Sequence, residues 1–212
     1  MRSLIVLSAL LVLLPVTGTA AGDGGQRGGC DVATVTGVHF DVQIVRDGKA
    51  QAPIVDDTVC LRDRITTGSK GVAMLRFSDG TQITVGHDSE FVIQRWKQRK
   101  MLANDAAFEL VRGAFRAVTG TITKRSHRFK VKTAIATIGV RGTDFWGGTT
   151  ISDNALDVIM LEGKGVYVEN DAGRVELETA GTGTTVRAGR SPDAPKTWSP
   201  EKLQKAVATV TP

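Results

Sequence analysis

Histidine and cysteine are scarce in this sequence, which has 3 His and 2 Cys among 212 residues. The histidines, His39, His87 and His127, lie far apart, and neither cysteine has a His or a third Cys at metal-ligand spacing. The chain also lacks the Gly-x-Ser-x-Gly turn, the His-Glu-x-x-His zinc motif and the Gly-x-x-x-x-Gly-Lys-Ser/Thr phosphate loop. We therefore expect a protein that is not an enzyme and that binds no metal and no cofactor.

Long apolar runs are scarce as well, and the one that is present lies at the N-terminus. It extends from Leu4 to Leu14, behind the positively charged Arg2. Because this run is shorter than the roughly 20 residues that cross a bilayer as a helix, we interpret residues 1–21 as a secretory signal peptide cleaved near Ala20 or Ala21. We expect a periplasmic or secreted protein whose mature chain has no transmembrane segment.

Helical periodicity is nearly absent from the rest of the chain. The segment Val72–Phe77 alternates apolar and less apolar residues, Asp79-Gly80 offers a tight turn, and Gln82–Val85 resumes the alternation. Similar short units recur along the chain and are separated by glycine-containing turns. This pattern predicts an all-β fold, either a short-strand β-solenoid or a two-layer sandwich. The repetition of similar strand-turn units favours the solenoid.

One helix is predicted close to the C-terminus. Ser199 is a good N-cap and Pro200 suits the first helical position. We interpret this helix as an element folded onto the β-core, and the alternative is a docking helix for a partner. The mature chain is then divided into a flexible glycine-rich arm over residues 22–31, a β domain over residues 32–190, and a linker with the C-terminal helix over residues 191–212.

The two cysteines, Cys30 and Cys60, both lie in the part of the chain that we expect to be exported. An oxidising compartment favours their pairing. Closing a loop of this length stabilises the fold by roughly 3 to 4 kcal/mol in the chain-entropy model. The alternative, a reactive thiol or a metal pair, lacks further ligands at suitable spacing.

Lys and Arg outnumber Asp and Glu by 27 to 22, a bias too small to imply nucleic acid. Two basic clusters stand out: Arg95, Lys97, Arg99 and Lys100, and Arg128, Lys130 and Lys132. In a strand, the three cations of the second cluster share one face. Each cluster is either a solvated face that protects a sheet edge or a contact surface for anionic lipid or glycan.

Two segments in order resemble the FecR domain. The first is residues 66–81 with Ser89, and the second is residues 129–145, which contain the run Val-Arg-Gly-Thr-Asp-Phe. The residues that carry the resemblance are Asp79, Gly80, Ser89, Thr133, Arg141, Gly142, Thr143 and Phe145. The family implies a β-rich periplasmic domain without catalytic residues, best known from sensors that relay the state of an outer-membrane iron-siderophore transporter to a sigma factor.

Those sensors carry an anti-sigma segment and a membrane-spanning helix before the FecR domain. Neither is recognisable here, so we expect a stand-alone binding module for an envelope protein or cell-surface component, involved in signal sensing. The alternative is a structural envelope protein held to anionic lipid or glycan. We expect the motif to be mainly structural: Gly142 permits a positive φ, Thr143 bonds a backbone group, and Arg141 holds loop carbonyls or a carboxylate. The alternative for Arg141 is an exposed contact with an acidic ligand.

Overall fold

The computed structural model of the protein describes residues 30–97, 105–120 and 129–212. Within these ranges the chain forms two nine-stranded sheets and one helix. The signal peptide predicted for residues 1–21 lies outside the described residues, and so does the predicted arm except for its last two residues.

The first sheet has the spatial order β18-β17-β14-β13-β10-β7-β6-β1-β4. Its strands are β1 (Ala33–His39), β4 (Thr58–Val59), β6 (Val72–Phe77), β7 (Gln82–Val85), β10 (Ala114–Val118), β13 (Thr143–Gly148), β14 (Ala155–Gly163), β17 (Thr182–Arg187) and β18 (Lys196–Thr197).

The second sheet has the spatial order β16-β15-β12-β11-β9-β8-β5-β2-β3. Its strands are β2 (Val42–Arg46), β3 (Lys49–Gln51), β5 (Arg64–Thr67), β8 (Glu90–Lys97), β9 (Asp105–Arg112), β11 (Phe129–Lys132), β12 (Thr137–Val140), β15 (Val166–Asn170) and β16 (Gly173–Leu177).

The two sheets make the fold a β-sandwich, which is one of the two predicted alternatives but not the solenoid that the repeated strand-turn units favoured. The chain passes back and forth between the sheets and advances along both of them in the same direction, so successive strand-turn units stack side by side. This stacking explains why similar units recur in the sequence at short intervals. Neighbouring strands are antiparallel, except that β9 and β11 pair in parallel.

The core lies between the sheets and is rich in aromatic side chains. Phe77 packs against Trp96 with 4.4 Å between ring centroids, and Phe91 stacks on Phe108 at 5.5 Å. In β5, β9 and β11, buried residues alternate with more exposed ones, as the strand period of two requires. Burying these rings between the sheets supplies much of the hydrophobic stabilisation.

Two local predictions are confirmed in this frame. Strands β6 and β7 form the expected hairpin, with Leu75 opposite Ile83. Cys30 and Cys60 form a disulfide, which joins the start of the described chain to the residue that follows β4. This bond fastens the N-terminal end of the sandwich.

The predicted C-terminal helix is present as α1 (Pro200–Ala208), and the Ser199 side chain accepts a hydrogen bond from the backbone N–H of Lys202. It packs on the outer face of the first sheet, where it joins a small apolar cluster that contains Trp146 and Ile159. Its Lys202 ammonium lies 2.6 Å from an oxygen of Asp157, whose side chain is completely buried. The interpretation of this helix as an element folded onto the β-core is therefore confirmed.

In the described parts of the chain, no helix has the length and apolar character needed to cross a membrane.

Candidate functional site

Ser89 lies at a corner where the chain passes from the first sheet to the second. Its buried hydroxyl accepts a hydrogen bond from the N–H of Ala114, 2.9 Å away, at the neighbouring corner. The N–H of Ser89 in turn donates to the hydroxyl of Thr67, which itself donates to the carbonyl of Gly86. Gly113 passes so close that an added Cβ would lie 2.4 Å from the Cα of Ser89. These hydroxyls hold three successive corners together.

Thr143 has the same role on another corner. Its hydroxyl accepts from the N–H of Gly165 at 3.1 Å and donates to the carbonyl of the same residue at 2.9 Å. The N–H of Thr143 donates to the hydroxyl of Thr119 at 2.8 Å. Gly142 has a φ of 66°. Thr143 and Gly142 therefore have the backbone roles that we expected of them.

The remaining motif residues form turns or fill the core. The hydroxyl of Thr133 accepts from the N–H of Ala136 at 3.0 Å in the turn between β11 and β12. A carboxylate oxygen of Asp79 accepts from the N–H of Thr81 at 2.8 Å, and Gly80 follows with a φ of 87°. Phe145 is completely buried. These contacts give each of the four residues a structural role in the sandwich.

Arg141 differs from its motif neighbours because its side chain is exposed. The guanidinium lies 3.7 Å from a carboxylate oxygen of Glu176, and each of the two side chains retains about two fifths of its exposure. The backbone N–H of Arg141 donates to the carbonyl of Gly165 at 2.9 Å. A second ion pair in this motif segment joins Asp144 to Arg116 and is more buried than the pair of Arg141 with Glu176. Asp144 accepts two hydrogen bonds from Arg116, and these raise the pKa of that arginine.

The predicted basic clusters are interleaved with carboxylates in the part of the chain that the structure describes. Arg95 lies 2.7 Å from Asp105, and Lys130 lies 3.9 Å from Glu169. Lys132 is exposed and stands next to Glu109 on the neighbouring strand. Lys97 is exposed as well, whereas Arg99, Lys100 and Arg128 lie outside the described residues. Contact of these clusters with anionic lipid or glycan stays a prediction, and the paired carboxylates reduce the positive charge available for it.

Among the described residues, no group of three or more His, Cys, Asp or Glu is placed to hold a metal ion.

The surface has a set of exposed apolar residues at the N-terminal end of the sandwich, which sequence reasoning missed. Phe40, between β1 and β2, is 71% exposed, and Ile54, between β3 and β4, is 70% exposed. Val55 is half exposed, and Ala52 lines an open depression together with Phe40. We call Phe40, Ala52, Ile54 and Val55 the end surface.

Residues 63–164 match the family model described as FecR protein. Over this segment, just under half of its length, the chain is similar to FecR proteins. The motif residues lie within the matched segment, whereas the end surface precedes it. The predicted resemblance is thus confirmed over the centre of the β-sandwich.

Solved structures support the same fold. Two crystal structures of a candidate anti-sigma factor from Parabacteroides distasonis superpose on this protein with TM-scores of 0.53 and 0.51, at 15% and 16% sequence identity. In both cases the match covers 66% of this chain and 62% of the solved chain. The comparison therefore spans less than two thirds of the solved protein and shows a shared fold. No curated protein matches the sequence.

Proposed function

We propose that this FecR-domain protein is a non-catalytic module that acts in signalling at the bacterial envelope through contact with another protein, in the periplasm or outside the cell. The observation that carries the proposal is the end surface: large apolar side chains are held outward on ordered turns. Large apolar side chains that remain exposed are a common feature of protein contact sites. The match to the FecR family and the anti-sigma description of the solved relatives support a regulatory context.

The structural role of the motif supports the same proposal. Ser89, Thr133 and Thr143 bind backbone groups of neighbouring turns, so their hydroxyls serve the frame of the sandwich. Because the motif residues hold the sandwich together, we infer that residues outside the motif contact the partner protein. The end surface meets this condition because Phe40 and Ile54 lie outside the matched segment.

Crosslinking in living cells tests the proposal. The tagged full chain is expressed in its native envelope, crosslinked, and analysed by mass spectrometry for what it captures. We expect a transporter or a membrane sensor as the main partner, and its capture should persist at high salt because apolar contacts are not screened. Capture of only lipid, glycan or porins, abolished by high salt, would contradict the proposal and favour the envelope-bound structural role.

A further inference from the structure

The C-terminal segment is attached to the sandwich from outside. We call residues 196–212, which contain β18 and α1, the strap. The buried side chains of the strap share a small apolar cluster with Trp146 and Ile159, and this cluster is separate from the main core between the sheets. Within α1 only Ala206 is buried. The strap can therefore leave without uncovering the main core, and a segment attached in this way opens more easily than the core does.

The contact between the strap and the first sheet contains buried polar atoms without partners. The Lys202 ammonium donates to one carboxylate oxygen of Asp157 at 2.6 Å and lies 4.3 Å from the centre of the Trp198 ring. The other oxygen of Asp157 and the Nε1 of Trp198 are buried and accept or donate no hydrogen bond. Within residues 30–97, 105–120 and 129–212, no other buried side-chain nitrogen or oxygen is in this situation. Because water reaches both atoms once the strap leaves, closing the strap carries a desolvation cost that an apolar contact would avoid.

The far end of the strap contacts the corner that carries Ser89. The carbonyl of Thr209 accepts a hydrogen bond from the backbone N–H of His87 at 2.9 Å, and the Thr209 hydroxyl accepts from the Nε1 of Trp146 at 3.0 Å. Gly86 passes so close that an added Cβ would overlap the carbonyl oxygen of Thr209. The Ser89 hydroxyl donates to the carbonyl of His87 at 2.8 Å. Departure of the strap therefore removes a hydrogen bond from this corner.

From the separate cluster, the unpartnered polar atoms and the contact with His87, we propose that the strap opens as a unit while the two sheets stay folded. The pair of Lys202 with Asp157 holds the strap closed. Opening uncovers Trp146 and Ile159 on the outer face of the first sheet and frees the N–H of His87. The strap is thus a conformational device that couples an apolar sheet face to the Ser89 corner. This inference goes beyond the proposed function and does not depend on the end surface.

Hydrogen exchange of the disulfide-bonded protein, followed amide by amide with NMR, tests the inference. Two neighbouring amides provide an internal comparison. The N–H of Gly86 donates to the carbonyl of Ala114 at 2.8 Å within the sandwich, whereas the N–H of His87 donates to Thr209 of the strap. We expect the protection factors of His87 and of α1 to agree within about threefold and to lie at least about tenfold below that of Gly86. Equal protection of His87 and Gly86, or exchange of His87 that does not follow α1, would overturn the inference.

A variant in the sandwich separates opening of the strap from unfolding of the sheets. Thr143→Val removes a buried hydroxyl between two corners of the sandwich and leaves every strap contact in place. It should lower the protection factor of Gly86 about 30-fold, because Gly86 exchanges when the sheets unfold. The protection factors of His87 and α1 should stay within about threefold of the wild type, because the strap opens without the sheets. An equal fall in all three would show that the strap opens only with the sheets, and the inference would be wrong.

A second pair of variants tests what holds the strap closed. Lys202→Met removes the cation that pairs with Asp157 and keeps the length of the side chain. Lys205→Met makes the same replacement at an exposed position of α1 and is the matched control. We expect Lys202→Met to lower the protection factors of α1 and His87 at least about tenfold, and Lys205→Met to lower them by less than about threefold. The same effect in both variants would contradict the role of the Lys202–Asp157 pair.

Discussion

Replacing Thr143 by Val removes one hydroxyl and keeps the branched shape of the side chain. In the wild type this hydroxyl satisfies both the N–H and the carbonyl of Gly165, at 3.1 and 2.9 Å. Thr143 is 3% exposed, so water cannot readily replace the lost group. The variant leaves a buried N–H without its partner, and such a loss costs about 1 to 3 kcal/mol.

We take about 2 kcal/mol as the expected loss in the free energy of unfolding. For a domain of this size, each kcal/mol lowers the melting temperature by about 2 to 4 °C, so a decrease of about 4 to 8 °C follows. The assay is thermal and urea unfolding of the disulfide-bonded protein, followed by circular dichroism. The matched control is Thr36→Val, because Thr36 is exposed on β1 and its loss should change stability by less than about 0.5 kcal/mol.

A melting temperature of Thr143→Val within about 1 °C of the wild type, on that same scale, would refute the reasoning. The hydroxyl would then not be a structural tie between two corners, and the motif would need another explanation. An equal decrease in both variants would also refute it, because the effect would then belong to threonine replacement in general.

Three further outcomes follow from the structure. Replacing Cys30 and Cys60 by Ser should lower the free energy of unfolding by roughly 3 to 4 kcal/mol, measured by urea unfolding; an unchanged midpoint would show that the disulfide does not fasten the fold. Lys202→Met leaves the buried Asp157 carboxylate without its cation and should cost about 3 kcal/mol, whereas adding Asp157→Asn should restore part of the loss; no recovery in the double variant would contradict the pairing. Arg141→Lys should change stability by less than about 0.5 kcal/mol, because its ion pair is exposed and long, and a large decrease in melting temperature would show that the guanidinium is structural.

Local features of this fold were predictable from the sequence because they depend on near neighbours. The β6–β7 hairpin follows from alternation and an Asp-Gly turn, and α1 follows from Ser199 and Pro200. The choice between sandwich and solenoid was not predictable in the same way. It depends on which strands pair at long range, and the sequence pattern describes only each unit.

The candidate site was less predictable for related reasons. The alternation of Lys130 and Lys132 indicated a basic stripe, but Glu169, which pairs with Lys130, and Glu109, which lies opposite Lys132, come from other strands. Phe40 and Ala52 of the end surface line one depression although they are separated in the sequence. Phe40 has a φ of 53°. Sequence reasoning does not detect a positive φ at an aromatic residue, since Gly, Asn or Asp is expected at such a position.

Site-specific photocrosslinking in living cells tests the central claim most directly. A photoreactive phenylalanine analogue is placed at position 40 in one strain and at position 111 in another, so that both probes replace exposed apolar side chains. The account predicts a discrete protein adduct from position 40 and none from position 111. Equal adducts from both positions, or an adduct from position 111 alone, would contradict it.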